Sequence, residues 1–407
     1  MMRPRSNEIR LLKRCSLCFS RNRNASTTSQ QQQQRFTFPS ISFSGAGFLG
    51  AYHVGVASCL IKHEHLLKPL ETIRHDDTRT PIVTGVSAGA IVSAAISAGV
   101  TSDNAMNVIH EINNRTRALT QTTLASSMLD VFTPGFSLVD QLEDLLLQEL
   151  QIALGGSKDK NDYDHDLFMN RTQNGNSLRI GLTNVKPFIS DTRNAISKSF
   201  TLPTSPKGEK LNLFYVYVDQ YRNLSDVVSS CILSSYIPMG TGTIKGINDV
   251  QNKAVKRANE SIKDMEQLGF LKQGVTGHSI INVTRTRSGK NLDEQTENDQ
   301  IDDNLHYWDG GIVNMFPTID DSTIMVTPLN CTFQPNPYIS PKPEKDDPFY
   351  MDTNENQVSV GINVQNMKLL TKMLRSSSDP SYLDTQYQQG YDDARVFLKE
   401  RSLLRVF

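Results

Sequence analysis

Residues 81–99 read Pro-Ile-Val-Thr-Gly-Val-Ser-Ala-Gly and then Ala-Ile-Val-Ser-Ala-Ala-Ile-Ser-Ala-Gly. The first four residues have the β-branched, apolar character of a strand, and Ala90–Ala98 reads as a helix of small residues stopped by Gly99. Between them Gly85-Val86-Ser87-Ala88-Gly89 fits G-x-S-x-G. A serine in that frame sits on a sharp strand-to-helix turn that pushes its hydroxyl outward, and flanking glycines relieve the crowding. The same plan occurs once before. Phe36–Phe38 and Ile41–Phe43 alternate as a strand, Gly45-Ala46-Gly47-Phe48-Leu49-Gly50 makes a glycine turn, and an apolar segment to Lys62 reads as helix. Strand, turn and helix, repeated with tight glycine turns, predict an α/β sheet core.

Farther along, Leu138–Leu154 carries apolar residues at helical spacing, and Leu178–Asn184 and Leu211–Asp219 read as strands. Asp226–Ser235 reads as a helix ending before Pro238, and Asp249–Lys272 as a charged helical stretch. A short strand is expected at Ile280–Thr284, and residues 293–303, with six acids and no base, as a solvated loop. Trp308-Asp309-Gly310-Gly311 restores core character, followed by a strand at Thr323–Val326 and a helix at Tyr387–Arg401.

Composition narrows the function classes. The 407 residues are 38% hydrophobic and 21% charged, enough for a core, and the net charge of -1 argues against non-specific nucleic-acid binding. Residues 1–35 differ from the rest: eight Lys or Arg, one acid, and a Gln30–Gln34 run. That leader has no apolar run of secretory type, so it reads either as an organelle transit peptide or as an untargeted disordered tail. No stretch is apolar over the length of a spanning helix, so membrane contact is expected at the surface. Five cysteines at wide spacing suggest no disulfide framework, and the Cys15-x-x-Cys18 pair lacks a second pair to hold a metal.

The chemistry centres on Ser87 as a nucleophile. Gly45–Gly50 matches G-x-G-x-x-G, which serves either a dinucleotide or an oxyanion. No acid stands at a second strand end, where a dinucleotide loop wants one, so the oxyanion reading is preferred. Two groups qualify as the base for Ser87: His306, in the only well-placed late histidine context, and Asp309 on its turn before two glycines.

Taken in order, Gly45–Gly50, Gly85–Gly89 and Asp309–Gly311 resemble the three signatures of patatin-like phospholipases. The segment Ser42–Leu60, with Cys231–Gly240 and Gln389–Leu398, is similar to the adipose triglyceride lipase type within that family. The resemblance implies a three-layer α/β/α patatin-like domain over residues 36–335, with a polar insertion at 241–304 and a C-terminal helical extension at 336–407. It implies Ser87 as nucleophile, Asp309 as base, and an oxyanion hole from Gly45, Ala46, Gly47 and Gly50. Gly85, Gly89, Gly310 and Gly311 become the glycines of the elbow and the aspartate turn, and no catalytic histidine, metal or organic cofactor is needed.

The expected activity is hydrolysis of long-chain acyl glycerolipids, triacylglycerol foremost. Phospholipase A, lysophospholipase or acylglycerol transacylase activity is the alternative, and a catalytically silent lipid-surface protein is the non-enzyme rival. The expected setting is the cytoplasm at a lipid-droplet or membrane surface, with a protein co-activator among the partners and no nucleic acid. A mitochondrion or another organelle is the alternative address if the leader targets. By this resemblance the Pro238–Asp309 stretch is expected to be longer than in the animal lipases, and a counterpart of their long C-terminal extension is not expected after Leu398.

Overall fold

A computed structural model describes residues 40–63, 82–121, 138–157, 162–174, 178–184, 214–237, 253–273, 307–333, 336–342, 350–353, 358–361, 364–373, 376–401 and Leu403. The leader, the strand expected at Phe36–Phe38, the strand at Ile280–Thr284, the acidic loop and His306 lie outside these residues.

In chain order the elements are β1 (Ser40–Phe43), α1 (Gly50–Lys62), β2 (Ile82–Gly85), α2 (Ala88–Ala98), α3 (Ser102–Gln121), α4 (Leu138–Ala153) and α5 (His165–Met169). Then come β3 (Leu178–Asn184), β4 (Phe214–Val218), α6 (Leu224–Ser234), α7 (Lys253–Gln267), β5 (Leu271–Gln273), β6 (Tyr307–Asp309) and β7 (Ile324–Val326). Last are β8 (Cys331–Phe333), β9 (Tyr338–Ile339), β10 (Tyr350–Thr353), β11 (Val358–Gly361), α8 (Val364–Met373) and α9 (Ser381–Glu400).

The central sheet runs β5-β4-β3-β2-β1-β7-β9, with β6 paired to β3. Its centre is parallel and its β3-β4-β5 side antiparallel. Alternation along the strands splits the core. Ile41, Phe43, Val83, Ile180, Leu182, Val216 and Val326 meet buried residues of α1, α2, α4, α6, α7 and α9. On the other face Met325 packs with Phe316, Phe333 and Leu369 of α8. The result is the three-layer α/β/α fold that the sequence led us to expect.

Helix α4 shows why its residues choose that layer. Val139, Leu142, Leu146 and Leu150 recur every three or four residues, and none is more than 3% exposed. Each buried leucine contributes roughly 1.5–3 kcal/mol. The charged stretch expected to be helical to Lys272 stops earlier, at Gln267. Gly269 takes φ +75, which reverses the chain so that Leu271–Gln273 pairs with β4 instead. Helix α3 was not anticipated, nor was the small sheet β10-β11-β8. The expected C-terminal extension holds α8 and α9, and it also supplies β9 to the edge of the central sheet beside β7.

Two glycines bring α9 onto α1. A side chain at Gly55 would collide with the carbonyl of Tyr387, and one at Gly390 with the carbonyl of Tyr52. The helices therefore cross backbone to backbone. Tyr52 donates to Asp393 at 2.9 Å and Tyr387 to Ser58 at 2.9 Å, which pins the crossing on both sides.

Candidate active site

Ser87 stands at the end of β2 with φ 54° and ψ −130°. Among the described residues it is the only non-glycine with positive φ, a conformation that costs an L-residue about 1–3 kcal/mol. The neighbouring glycines explain how the turn fits. A Cβ at Gly85 would overlap the Gly89 carbonyl, and one at Gly89 would overlap the carbonyls of Phe43 and Ser44. Helix α2 begins at Ala88, directly after the serine, so its N-terminal dipole end lies beside the hydroxyl.

Strand register brings Asp309 to this turn. The first half of β3 pairs with β2, Gly85 facing Ile180, and the second half pairs with β6, Leu182 facing Asp309. One seven-residue strand thus aligns the end of β2 with the end of β6, and only Gly181 separates the two registers. Thr183 donates to the Asp309 carbonyl at 2.7 Å, and the Asp309 N–H donates to Tyr236 at 2.9 Å, so the backbone there is held on both sides.

The Asp309 carboxylate accepts from the Gly311 N–H at 2.7 Å and from the Ser87 hydroxyl. At 3% exposure it is buried, and burial pushes its pKa up from 3.8 to about 7 against the opposing pull of those two hydrogen bonds. A carboxylate titrating near neutrality is a much stronger base than an exposed one. Strand alternation puts Trp308 on the opposite face of β6.

The glycine loop closes the site from the β1 side. A Cβ on Gly45 would stand 3.6 Å from the Ser87 Cβ. Ala46 is buried and caps a 3-10 turn over Gly47–Leu49. Gly47 has φ +51, and its Cα faces the carbonyl of Met373 at the end of α8, leaving no room for a side chain. Gly50 differs from the expectation. Its N–H is spent on the Gly47 carbonyl, so it closes the turn and does not face an oxyanion. The oxyanion donors that remain among the expected residues are the N–H groups of Gly45, Ala46 and Gly47, of which Gly45 has a long 3.4 Å contact to Met315.

A profile of patatin-like phospholipases matches residues 41–321. The chain belongs to the patatin-like phospholipase family. Patatin-like phospholipase domain-containing protein 2 of Rattus norvegicus is 35% identical over 111 residues, which is 27% of this chain and 20% of that protein. Its Homo sapiens counterpart is 35% identical over 111 residues, 27% of this chain and 19% of that protein. The Homo sapiens protein named 1-acylglycerol-3-phosphate O-acyltransferase PNPLA3 is 27% identical over 206 residues, half of this chain and 31% of that protein. The chain covers under a third of the length of each of these relatives.

In this patatin-like chain the ring-nitrogen contacts of His53, His110 and His165 go to Ser44, Asp384 and Arg222 and not to Ser87. His53 is buried on α1, where Nε2–H donates to the Ser44 carbonyl at 2.9 Å and burial lowers its pKa to about 4. It therefore stays neutral and steadies the peptide that leads into the glycine loop. His110 pairs with Asp384 across α3 and α9.

Two residues of the site escaped the sequence reading. Ser234, the last residue of α6, accepts from the Ser87 N–H at 2.9 Å and donates to the Gly181 carbonyl at 2.7 Å. Gly181 itself admits no side chain, because a Cβ would stand 2.5 Å from the Tyr215 hydroxyl and 2.7 Å from Val86. A glycine inside an apolar strand signals such a close approach. Nothing local distinguishes Ser234 from the serines beside it.

Ser234→Ala is expected to lower kcat about tenfold with little change in KM, since it frees the elbow without touching substrate. The two buried backbone groups it leaves unpaired should cost about 1–3 kcal/mol. Chemical denaturation and steady-state assay of the same preparation check both numbers. Unchanged kcat with lowered stability would leave Ser234 a purely structural residue.

Proposed function

We propose that this family member is a serine acyl hydrolase of long-chain acyl glycerolipids, with triacylglycerol as its main substrate. The observation that carries the reading is a strained Ser87 whose hydroxyl bonds a buried Asp309 titrating at about 7. Ser87 Oγ attacks the ester carbonyl while Asp309 takes its proton. The N–H groups of Gly45, Ala46 and Gly47 receive the oxyanion. Collapse of the tetrahedral intermediate expels the alcohol, which leaves with the proton from Asp309, and an acyl-enzyme remains. Asp309 then deprotonates water, whose attack releases the fatty acid and restores the serine.

An acceptor alcohol in place of water yields an ester, so transacylation is the second reading; the printed name of the human acyltransferase relative favours it. Phospholipase A or lysophospholipase action uses the same residues. A catalytically silent lipid-surface role does not account for an aspartate held at the serine hydroxyl. We place the reaction at a lipid-droplet or membrane surface reached from the cytoplasm, with a protein co-activator as a candidate partner, and an organelle address if residues 1–35 target. Among the described residues no helix is long and apolar enough to cross a membrane.

The test is purified full chain against triacylglycerol, phosphatidylcholine and retinyl ester, with fatty-acid release as the readout. Release from triacylglycerol at least tenfold above the other two is expected. Phosphatidylcholine as the best substrate would replace the lipase reading with a phospholipase one, and no release from any ester would favour the silent protein.

A further inference from the structure

His53 is a polar ring at 0% exposure near the start of α1. Burying such a ring costs free energy unless its groups are paired. Its Nε2–H is spent on the Ser44 carbonyl at 2.9 Å, and among the described residues Nδ1 has no donor facing it. The Ser44 carbonyl alone therefore selects the tautomer. The rings of Phe43 and Tyr52 stand edge-on to the imidazole, at 5.4 and 6.2 Å between centroids, and fix its plane. A buried histidine is held here for one hydrogen bond.

That bond grips the first peptide of the glycine loop. The Ser44 oxygen lies against the elbow glycine Gly89 on one side and against His53 on the other. In a planar trans peptide the Gly45 N–H points from the edge opposite the Ser44 carbonyl, so fixing one fixes the other. On its own edge that N–H has only a 3.4 Å contact to the Met315 carbonyl, longer than an ordinary hydrogen bond. Gly45 itself lies against Ser87. Turning this one peptide over would exchange its edges and put a carbonyl oxygen where the oxyanion needs a donor. Glycine, without a Cβ, resists that rotation least.

We propose that His53 is a positioning residue for the oxyanion hole: by holding the Ser44 carbonyl it keeps the Ser44–Gly45 peptide from turning over, and so presents the N–H groups of Gly45, Ala46 and Gly47 to the oxyanion. The proposal rests on Ser87 as the nucleophile and on the glycine loop as its oxyanion hole. His53 acts through the peptide and transfers no proton. Its hydrogen bond also polarises that peptide, which strengthens the Gly45 N–H as a donor.

The experiment compares the full chain with its H53L, H53Q and H53N variants. Leucine removes the donor, glutamine carries an N–H at the reach of Nε2, and asparagine carries one only at the reach of Nδ1. Losing an oxyanion donor outright costs about 10²–10³-fold in kcat, and a peptide free to turn over loses part of that. H53L is therefore expected to lower kcat on p-nitrophenyl butyrate about 10–100-fold and to leave KM within about twofold. The Ki of a trifluoromethyl ketone, whose adduct on the Ser87 oxygen carries the oxyanion, should rise by a similar factor. H53Q should recover kcat to within about threefold of the wild type, and H53N should not. The pH midpoint of kcat/KM, set by Asp309 at about 7, should be common to all four proteins. Equal losses in H53L and H53Q overturn the proposal, because the ring would then matter for its packing and not for its donor. A shifted midpoint overturns it too, by giving the imidazole a proton to handle. Should H53L fail to fold, H53Q against H53N decides alone, and equal kcat in those two overturns the proposal. Labelling of the wild type with a fluorophosphonate, read by mass spectrometry, tests the mechanism separately. An adduct on Ser87 with undiminished kcat in H53L removes only the role of His53, whereas an adduct on another residue removes the mechanism and this role with it.

Discussion

Ser87→Ala is expected to reduce ester hydrolysis by a factor on the order of 10⁴–10⁶, because the acyl-enzyme has no other oxygen to form on. Alanine retains a Cβ, so it inherits the strained backbone at φ 54° and should leave stability nearly unchanged. Ser87→Gly separates the two properties. It should be equally inactive yet more stable by about 1 kcal/mol, since glycine occupies positive φ without penalty. Turnover of a short p-nitrophenyl ester and urea unfolding provide both readings. Near-normal turnover in the alanine variant would remove Ser87 from the mechanism.

Asp309→Asn carries an opposite pair of effects. Activity should fall about 10²–10⁴-fold, the usual contribution of a general base. Stability should move the other way, and the sign follows from the pKa. The folded value of about 7 lies above the ordinary 3.8, so the fold prefers the protonated carboxyl. The stability that Asp309 contributes is complete below pH 3.8 and is lost as pH rises through about 7. At about pH 9 the ionised, buried group costs the wild type about 4 kcal/mol. Asparagine never ionises, so its advantage in Tm should grow from pH 5 to about pH 9. Wild-type kcat/KM should climb through the same interval as the base form is populated. A Tm difference that does not widen with pH would mean that Asp309 is not buried as a carboxylate. Retained activity in Asp309→Asn would return the base to a histidine.

What was legible in the sequence followed the range of the interactions. The elbow is local: strand, G-x-S-x-G and helix are contiguous, so Gly85–Gly89 could be read with its conformation. The glycine loop was legible as a loop, whereas the use of the Gly50 N–H inside its own turn depended on hydrogen-bond geometry that a glycine pattern does not encode. Asp309 stood out as an aspartate before two glycines, but its approach to Ser87 depends on how β3 divides its pairing between β2 and β6. That register is non-local. Ser234 reaches the elbow from α6 across 147 positions of sequence, and no spacing rule covers such a distance. Helix α3 was missed because its residues are mostly polar, and the strands β8 to β11 because each is at most four residues long.

The crossing of α1 and α9 at Gly55 and Gly390 also sets a timetable for the ribosome. Helix α1 is made well before α9, and its buried Tyr52, Val56, Cys59 and Leu60 include the face that Ala394 and Leu398 of α9 help to cover. Synthesis at about 5–20 residues per second leaves that face waiting roughly 20–70 s for its partner. The glycine loop waits almost as long, because the carbonyl that abuts Gly47 belongs to Met373. A nascent chain can therefore carry Ser87 and Asp309 without yet having the neighbours that shape the loop between them. Until α8 and α9 are made, that apolar face of α1 stays open to water, which makes the nascent chain a natural client for chaperones.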